Sequence, residues 1–278
     1  MRTLLRQHPV GCFFGITFLI SWTAALCVVS PWLIRGQVVP TLAGILMFPA
    51  LLLGPSVTGL LMTWVLRGRA GLHILKARLL RWRLRPSWYA VLLIPPVLVL
   101  GVLLILQLCV SKAFAPNLFP VGVVFGIPAG YLEEIGWTGF AFDELRKRRT
   151  PFAAAIVLGM FWAAWHLPVI DFLGAAHPHG HYWLAFFIAF GVAMTAVRVL
   201  MSWLYLNTDS IAAVQMLHMS STGALVVFGA PPGIGAAREA IWYGLYAIVL
   251  WVVVAAIVRA HGARLYRTAA VAGAMRSM

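Results

Sequence analysis

The chain has 278 residues, 62 % of them hydrophobic and 10 % charged, against roughly 45–50 % apolar and 25 % charged in soluble domains, which excludes a water-soluble globular domain. Lys and Arg outnumber Asp and Glu by 21 to 7, a balance that raises the question of nucleic acid. The bases lie in short runs between long apolar blocks, so the partner they imply is a membrane and no nucleic acid is expected.

The apolar blocks are about as long as a helix needs to cross a hydrocarbon core of ~30 Å at ~1.5 Å per residue. The expected fold is all-α, a polytopic helical membrane protein of about eight transmembrane helices. Arg2 and Arg6 precede the first block, residues 11–34. Its charge-free run is longer than the ~7–15 residues of a signal-peptide core, so it reads as an uncleaved helix. Further spans are expected at 39–66, 88–110, 119–142, 152–170, 182–206, 211–228 and 240–258. Cys12, Cys27 and Cys109 fall inside spans with no metal-ligand spacing and no sign of a disulfide framework. Threading the spans back and forth puts 17 Lys and Arg on one side and only Arg35, Lys112 and Arg238 on the other, with Arg198 left inside a span. By the positive-inside rule both termini are then cytoplasmic, in a multi-pass protein of the cell membrane. Arg81, Trp82, Arg83, Arg85, Trp88 and Tyr89 mix base with interfacial aromatics, a pattern that attracts anionic headgroups.

No polar linker interrupts the chain, so 1–278 reads as one membrane domain. Within it, 1–118 supplies N-terminal spans, about 119–229 a functional core, and 259–278 a basic cytoplasmic tail. Spans one to three contain no acid, whereas spans four to seven contain Glu133, Glu134, His166, Arg198 and His218. Ionisable groups in a bilayer cost ~2.5–3.5 kcal/mol for Asp, Lys or Arg on insertion scales, and their clustering marks function. Gly122, Gly126 and Gly130 form a ladder of small residues leading to Glu134, so this face is expected to pack against a neighbouring helix. Pro128 bends the same helix. Glu133 and His166 are each about sixteen residues, or ~24 Å of helix, from the basic turn that joins their spans, so they meet at one depth. His218 lies at intermediate depth in span seven, with Gln215, Ser221 and Thr222 at three- and four-residue spacing on one face. Glu and His together can hold and deprotonate water, and a second His with Thr222 can donate hydrogen bonds to a developing oxyanion.

At these residues the sequence resembles the CPBP intramembrane proteases, also called the Abi or CAAX-protease family, which includes the Rce1-like prenyl-protein endopeptidases. Their pattern is EExxxR, then FxxxH, then HxxxN. Here the first runs from Glu133 and Glu134 to Thr138, the second from Trp162 to His166, and the third from His218 to Thr222. The stretch Ser202, Trp203, Leu204, Tyr205 resembles the family's lead-in to the third. The resemblance implies an endopeptidase that hydrolyses a peptide bond in a hydrophobic, lipidated or membrane-associated peptide or protein, with water activated by Glu and His. In that scheme Glu133 is the general base, His166 shares the water, His218 polarises the scissile carbonyl and Glu134 braces the network. No cofactor is implied, and the alternative is zinc held by Glu133, His166 and His218. Thr138 stands in place of Arg, Trp162 of Phe and Thr222 of Asn. The missing Arg deprives the carboxylates of a counter-charge, and Arg198 is the expected substitute. These departures keep a second reading open, a catalytically silent relative that binds or protects a peptide. A small transporter is a third reading, against which the acid-free early spans argue. The loop of His177, Pro178, His179, Gly180 and His181, with Asp171 nearby, is a weaker metal-binding candidate.

Overall fold

The computed structural model describes residues 2–168, 179–229 and 233–266, and among them it contains helices and turns but no strand. A chain in hydrocarbon has to satisfy its backbone polar groups internally, which a helix does within one segment. After a short helix at Arg2–Gln7 come α1 (Pro9–Leu33), α2 (Thr41–Leu79), α3 (Ile94–Cys109), α4 (Val123–Gly136), α5 (Pro151–Trp165), α6 (Trp183–Thr208), α7 (Ile211–Phe228) and α8 (Ala236–His261). Among the described residues six stretches are long and apolar enough to cross a membrane, those containing α1, α2, α3, α6, α7 and α8. The protein is thus an all-α, multi-pass membrane protein.

The two remaining expected spans are helical but depart from regularity. After Gly136, α4 continues as a π-turn over Trp137–Phe142 and closes with Asp143–Leu145. α5 stops at Trp165 with His166 as its C-cap, earlier than the expected residue 170. Leu167 and Pro168 keep helical backbone beyond that cap. His166 thus sits at a break in regularity between Trp165 and Leu167; residues 169 and 170 lie outside the described residues. α2 runs on past residue 66, broken at Gly68, whose φ of 62° only glycine adopts without strain.

α4 is wedged between α2 and α7 with backbone against backbone. A Cβ added at Gly126 would come within 2.4 Å of the Met219 carbonyl, and one at Gly130 within 2.6 Å of the Gln215 carbonyl, both on α7. On the opposite flank a Cβ at Gly136 would lie 2.1 Å from the Pro55 carbonyl of α2. The expected helix approach is present, and it occurs on two faces.

Charge clamps one end of the bundle. Arg67 reaches Glu144 at 2.6 Å, Arg78 reaches both Asp143 and Asp209 at 2.9 Å, and Arg81 reaches Asp209 at 2.9 Å. These bases pin the ends of α2 and α4 to the α6–α7 turn, so they do more than orient the chain. Burial alone would raise the Glu144 carboxyl, yet the hydrogen bonds and charges of Arg67 and Lys147 hold it below the ordinary carboxylate range. At the other end the Phe119 N–H donates to the Val227 carbonyl at 3.1 Å, and His179 Nε2 lies 3.1 Å from Glu239 Oε2.

Candidate active site

The glycine seam between α4 and α7 sets the site, because it brings the last regular turn of α4 against the middle of α7. Glu133 and Glu134 are both buried there, at 2 % and 0 % exposure. Adjacent residues on a helix point about 100° apart, so the two carboxylates face different neighbours. Oε2 of Glu133 accepts two indole N–H groups, from Trp137 at 3.0 Å and Trp162 at 2.8 Å. Its Oε1 is turned toward His218, 3.9 Å from Nε2. That gap is too wide for a direct hydrogen bond and is within the reach of a bridging water.

Glu134 is tied on both oxygens. Oε1 accepts from Arg198 Nη1 at 3.0 Å and from His218 Nδ1 at 2.7 Å, while Oε2 accepts from the same Nη1 at 2.8 Å and from the Thr138 hydroxyl at 2.5 Å. Arg198 is 0 % exposed, and its guanidinium carbon lies 4.3 Å from the centre of the Trp162 ring. A buried charge is tolerable only when paired, and here ion pairing, hydrogen bonds and a π face act together. Arg198 thus stands against Glu134 as the counter-charge.

The hydrogen bonds also orient the imidazoles. His218 presents Nδ1 to a carboxylate, so Nδ1 carries the proton and Nε2 is aimed at Glu133. His166 places Nδ1 2.7 Å from the Trp162 carbonyl, which accepts and cannot donate, so its Nε2 is likewise the open nitrogen. Trp162 lies between the two rings, with its centroid 5.2 Å from each. Glu133, His166, His218, Ser221 and Thr222 line the floor of a cavity of about 630 Å³ whose walls are otherwise largely apolar.

Glu134, Thr138, Arg198 and Gln215 do not line this cavity. Thr138 spends its hydroxyl on Glu134, and Gln215 donates to the Tyr131 carbonyl at 2.7 Å, fastening α7 to α4. Trp137, which sequence reasoning passed over, holds Glu133 as Trp162 does. Its position four residues on from Glu133, on the same helix face, was the available signal. Among the described residues no group of three His, Cys, Asp or Glu side chains, that of Glu133, His166 and His218 included, is gathered closely enough to hold a metal ion. Of the weaker metal-binding loop, Asp171, His177 and Pro178 lie outside the described residues. His179 stacks on Phe186 with centroids 3.7 Å apart and faces Glu239.

Fold and floor together define a multi-pass membrane protein with a paired-carboxylate and imidazole centre inside the helical bundle. Residues 113–224, which contain every polar member of that centre, match the family model described as type II CAAX prenyl endopeptidase Rce1-like. Over 88 residues the chain is 36 % identical to CAAX prenyl protease 2 of Methanococcus maripaludis, an alignment covering 28 % of this chain and 32 % of that protein. The chain is similar to Rce1-like proteins over residues 113–224, and the match spans about a third of the length of that curated relative.

Proposed function

We propose that the chain is an intramembrane endopeptidase that hydrolyses a peptide bond in a hydrophobic or membrane-associated polypeptide. The observation that carries this reading is the open Oε1 of Glu133 facing His218 Nε2 across 3.9 Å at the floor of an apolar cavity. A water held there gives a proton to Glu133 as its oxygen attacks the carbonyl carbon, and the C=O electrons move onto oxygen. His166 Nε2 orients the same water. The oxyanion is met by the Thr222 hydroxyl and, when His218 is doubly protonated, by its Nε2–H. Collapse breaks the C–N bond, and Glu133 returns the proton to the leaving nitrogen, so one water is added in total. Glu134 with Arg198 stays charged throughout and fixes the His218 ring, a positioning task. No step passes through a metal.

The residues about 119–229 would form the catalytic core of a single membrane domain, with both termini cytoplasmic. The exposed Arg83, Arg85 and Trp82 beside Trp88 and Tyr89 would rest on anionic headgroups. The test compares membrane peptides that accumulate in cells carrying the wild type or Glu133→Gln, followed by hydrolysis of an accumulated peptide by the reconstituted proteins. Loss of a general base lowers the rate by about 10²–10⁴-fold. Equal peptide profiles would reject the reading in favour of a peptide-binding relative, and loss of wild-type hydrolysis on treatment with 1,10-phenanthroline would reject the metal-free scheme.

A further inference from the structure

The cavity has two polar poles joined by an aromatic wall. One pole is the floor, with Glu133, His166 and His218. The other is Glu239, which lines the same cavity from the first turn of α8. From His166 the rings run to Phe190 at 5.5 Å, from Phe190 to Phe186 at 6.2 Å, and from Phe186 to His179 at 3.7 Å. His179 ends the series, with Nε2 3.1 Å from Glu239 Oε2. The His179 side chain is wholly buried, so it holds the carboxylate in place, while the Glu239 side chain keeps 18 % exposure. Among the described residues no partner meets Glu239 Oε1. Tyr243, one turn along α8 from Glu239, packs edge to face on Phe186 at 5.2 Å and lines the cavity as well. Among the described residues that line it are two carboxylates and no Lys or Arg. The helix dipole favours an acid in a first turn, but an acid facing away from the cavity would satisfy it equally.

We propose that Glu239, with the Phe186 and Tyr243 rings beside it, is a subsite for a basic side chain of the polypeptide in the cavity. A carboxylate with a spare oxygen accepts N–H groups from an ammonium or a guanidinium. Aromatic faces attract the same cation, and the apolar wall receives its methylene stem, so the charged head alone needs a partner. An acidic side chain in that place meets a fixed like charge. The ring series also sets a spacing. The path from His166 to Glu239 is on the order of 15 Å, which an extended chain covers in about four or five residues at ~3.3 Å each. The occupant is therefore marked by a Lys or Arg that many residues from the bond that is cut. The register rests on the peptidase reading, whereas the preference for a cation rests on the wall alone.

The test uses the full chain in detergent and a fluorescently labelled peptide of Leu and Ala, with a single Lys, norleucine or Glu walked along it. Binding is read by anisotropy with the Glu133→Gln protein, in which the charge at the floor is gone and Glu239 remains. At one or two neighbouring positions the Lys peptide is expected to bind about 10- to 100-fold more tightly than the norleucine peptide. Adding Glu239→Gln should abolish that difference, and adding Glu239→Lys should turn the preference toward the Glu peptide. Reversal requires a folded protein, so it separates lost recognition from lost structure. Equal binding of the Lys and norleucine peptides at every position, or no binding of either, overturns the subsite. So does a Lys preference that survives both Glu239 variants, and so does loss of all peptide binding in both. The chain with Glu133 intact is then given the same peptides. Cleavage at equal rates whatever the residue removes the subsite and leaves the peptidase reading, whereas Lys-selective binding without cleavage keeps the subsite and removes the peptidase reading.

Discussion

His218 Nδ1 and Glu134 Oε1 are 2.7 Å apart, and the same oxygen lies 3.0 Å from Arg198 Nη1. One carboxylate thus neutralises a buried arginine and fixes the direction of an imidazole at once. Removing either charge leaves the other stranded in a dry interior, which costs about 3–5 kcal/mol for a buried pair. Arg198→Leu and Glu134→Leu are each expected to lower the thermal stability of the detergent-solubilised protein by that order, and the double variant by much less than their sum. Simple additivity of the two losses would show that the pair is not coupled.

Trp162 occupies the position of a family phenylalanine, and the change is not merely an aromatic for an aromatic. Trp162→Phe keeps the wall but removes the N–H that reaches Glu133 at 2.8 Å. A hydrogen bond to a charged group contributes about 1.5–3 kcal/mol, so the turnover is expected to fall roughly 10- to 100-fold with little change in KM. An unaltered turnover would mean that Trp137 alone suffices to hold Glu133.

The seam between α4 and α7 leaves no room for a methyl group. Gly130→Ala places its Cβ against the Gln215 carbonyl and the Met219 side chain, both at 2.6 Å. Overpacking of this kind costs about 1–3 kcal/mol. The variant should melt earlier and lose activity by moving His218 from Glu133, whereas Gly101→Ala, where a Cβ meets nothing within 4 Å, should behave as wild type.

The clamp at the basic end carries a pH signature. Glu144 has a lowered folded-state value, so its contribution is fully present above the unfolded value of roughly 4.3 and is lost as pH falls through the folded one. The stability difference between wild type and Glu144→Gln is therefore expected to be constant from pH 7 to 5 and to shrink only below about pH 4. Shrinkage already near pH 6 would contradict the assigned shift. Activity measured alongside is a separate readout, because Glu144 is remote from the cavity.

Much of this architecture was legible beforehand because hydrocarbon imposes a simple code of long apolar runs broken by base. The span of α7 was read to the residue, since Ser210 and Gly229 flank it with polar or helix-ending character. α5 is regular only to Trp165, with helical backbone again at Leu167 and Pro168, and the expected end at residue 170 lies outside the described residues. At the site, Glu133, Glu134, His166 and His218 stood out because ionisable groups are rare in this sequence. Arg198 stood out as a base with no place in the topology. Trp137 did not, because it is one of 12 tryptophans and only contact distinguishes a donor from a packing residue. Gln215 and Thr138, expected as supporting residues, turn to the Tyr131 carbonyl and to Glu134, partners that helix-face spacing does not specify. The pairing of Arg67, Arg78 and Arg81 with Asp143, Glu144 and Asp209 was hidden for a similar reason, as it joins residues 65 to 131 positions apart.

With glycines bringing α4 and α7 backbone to backbone and Gln215 tying one to the other, those two helices are bound to travel as one body. Any widening of the cavity has to come from its other walls, chiefly the outer turns of α2, α6 and α8. The carboxylates and imidazoles at the seam are thereby fixed apart from the apolar walls, which can vary without disturbing that alignment.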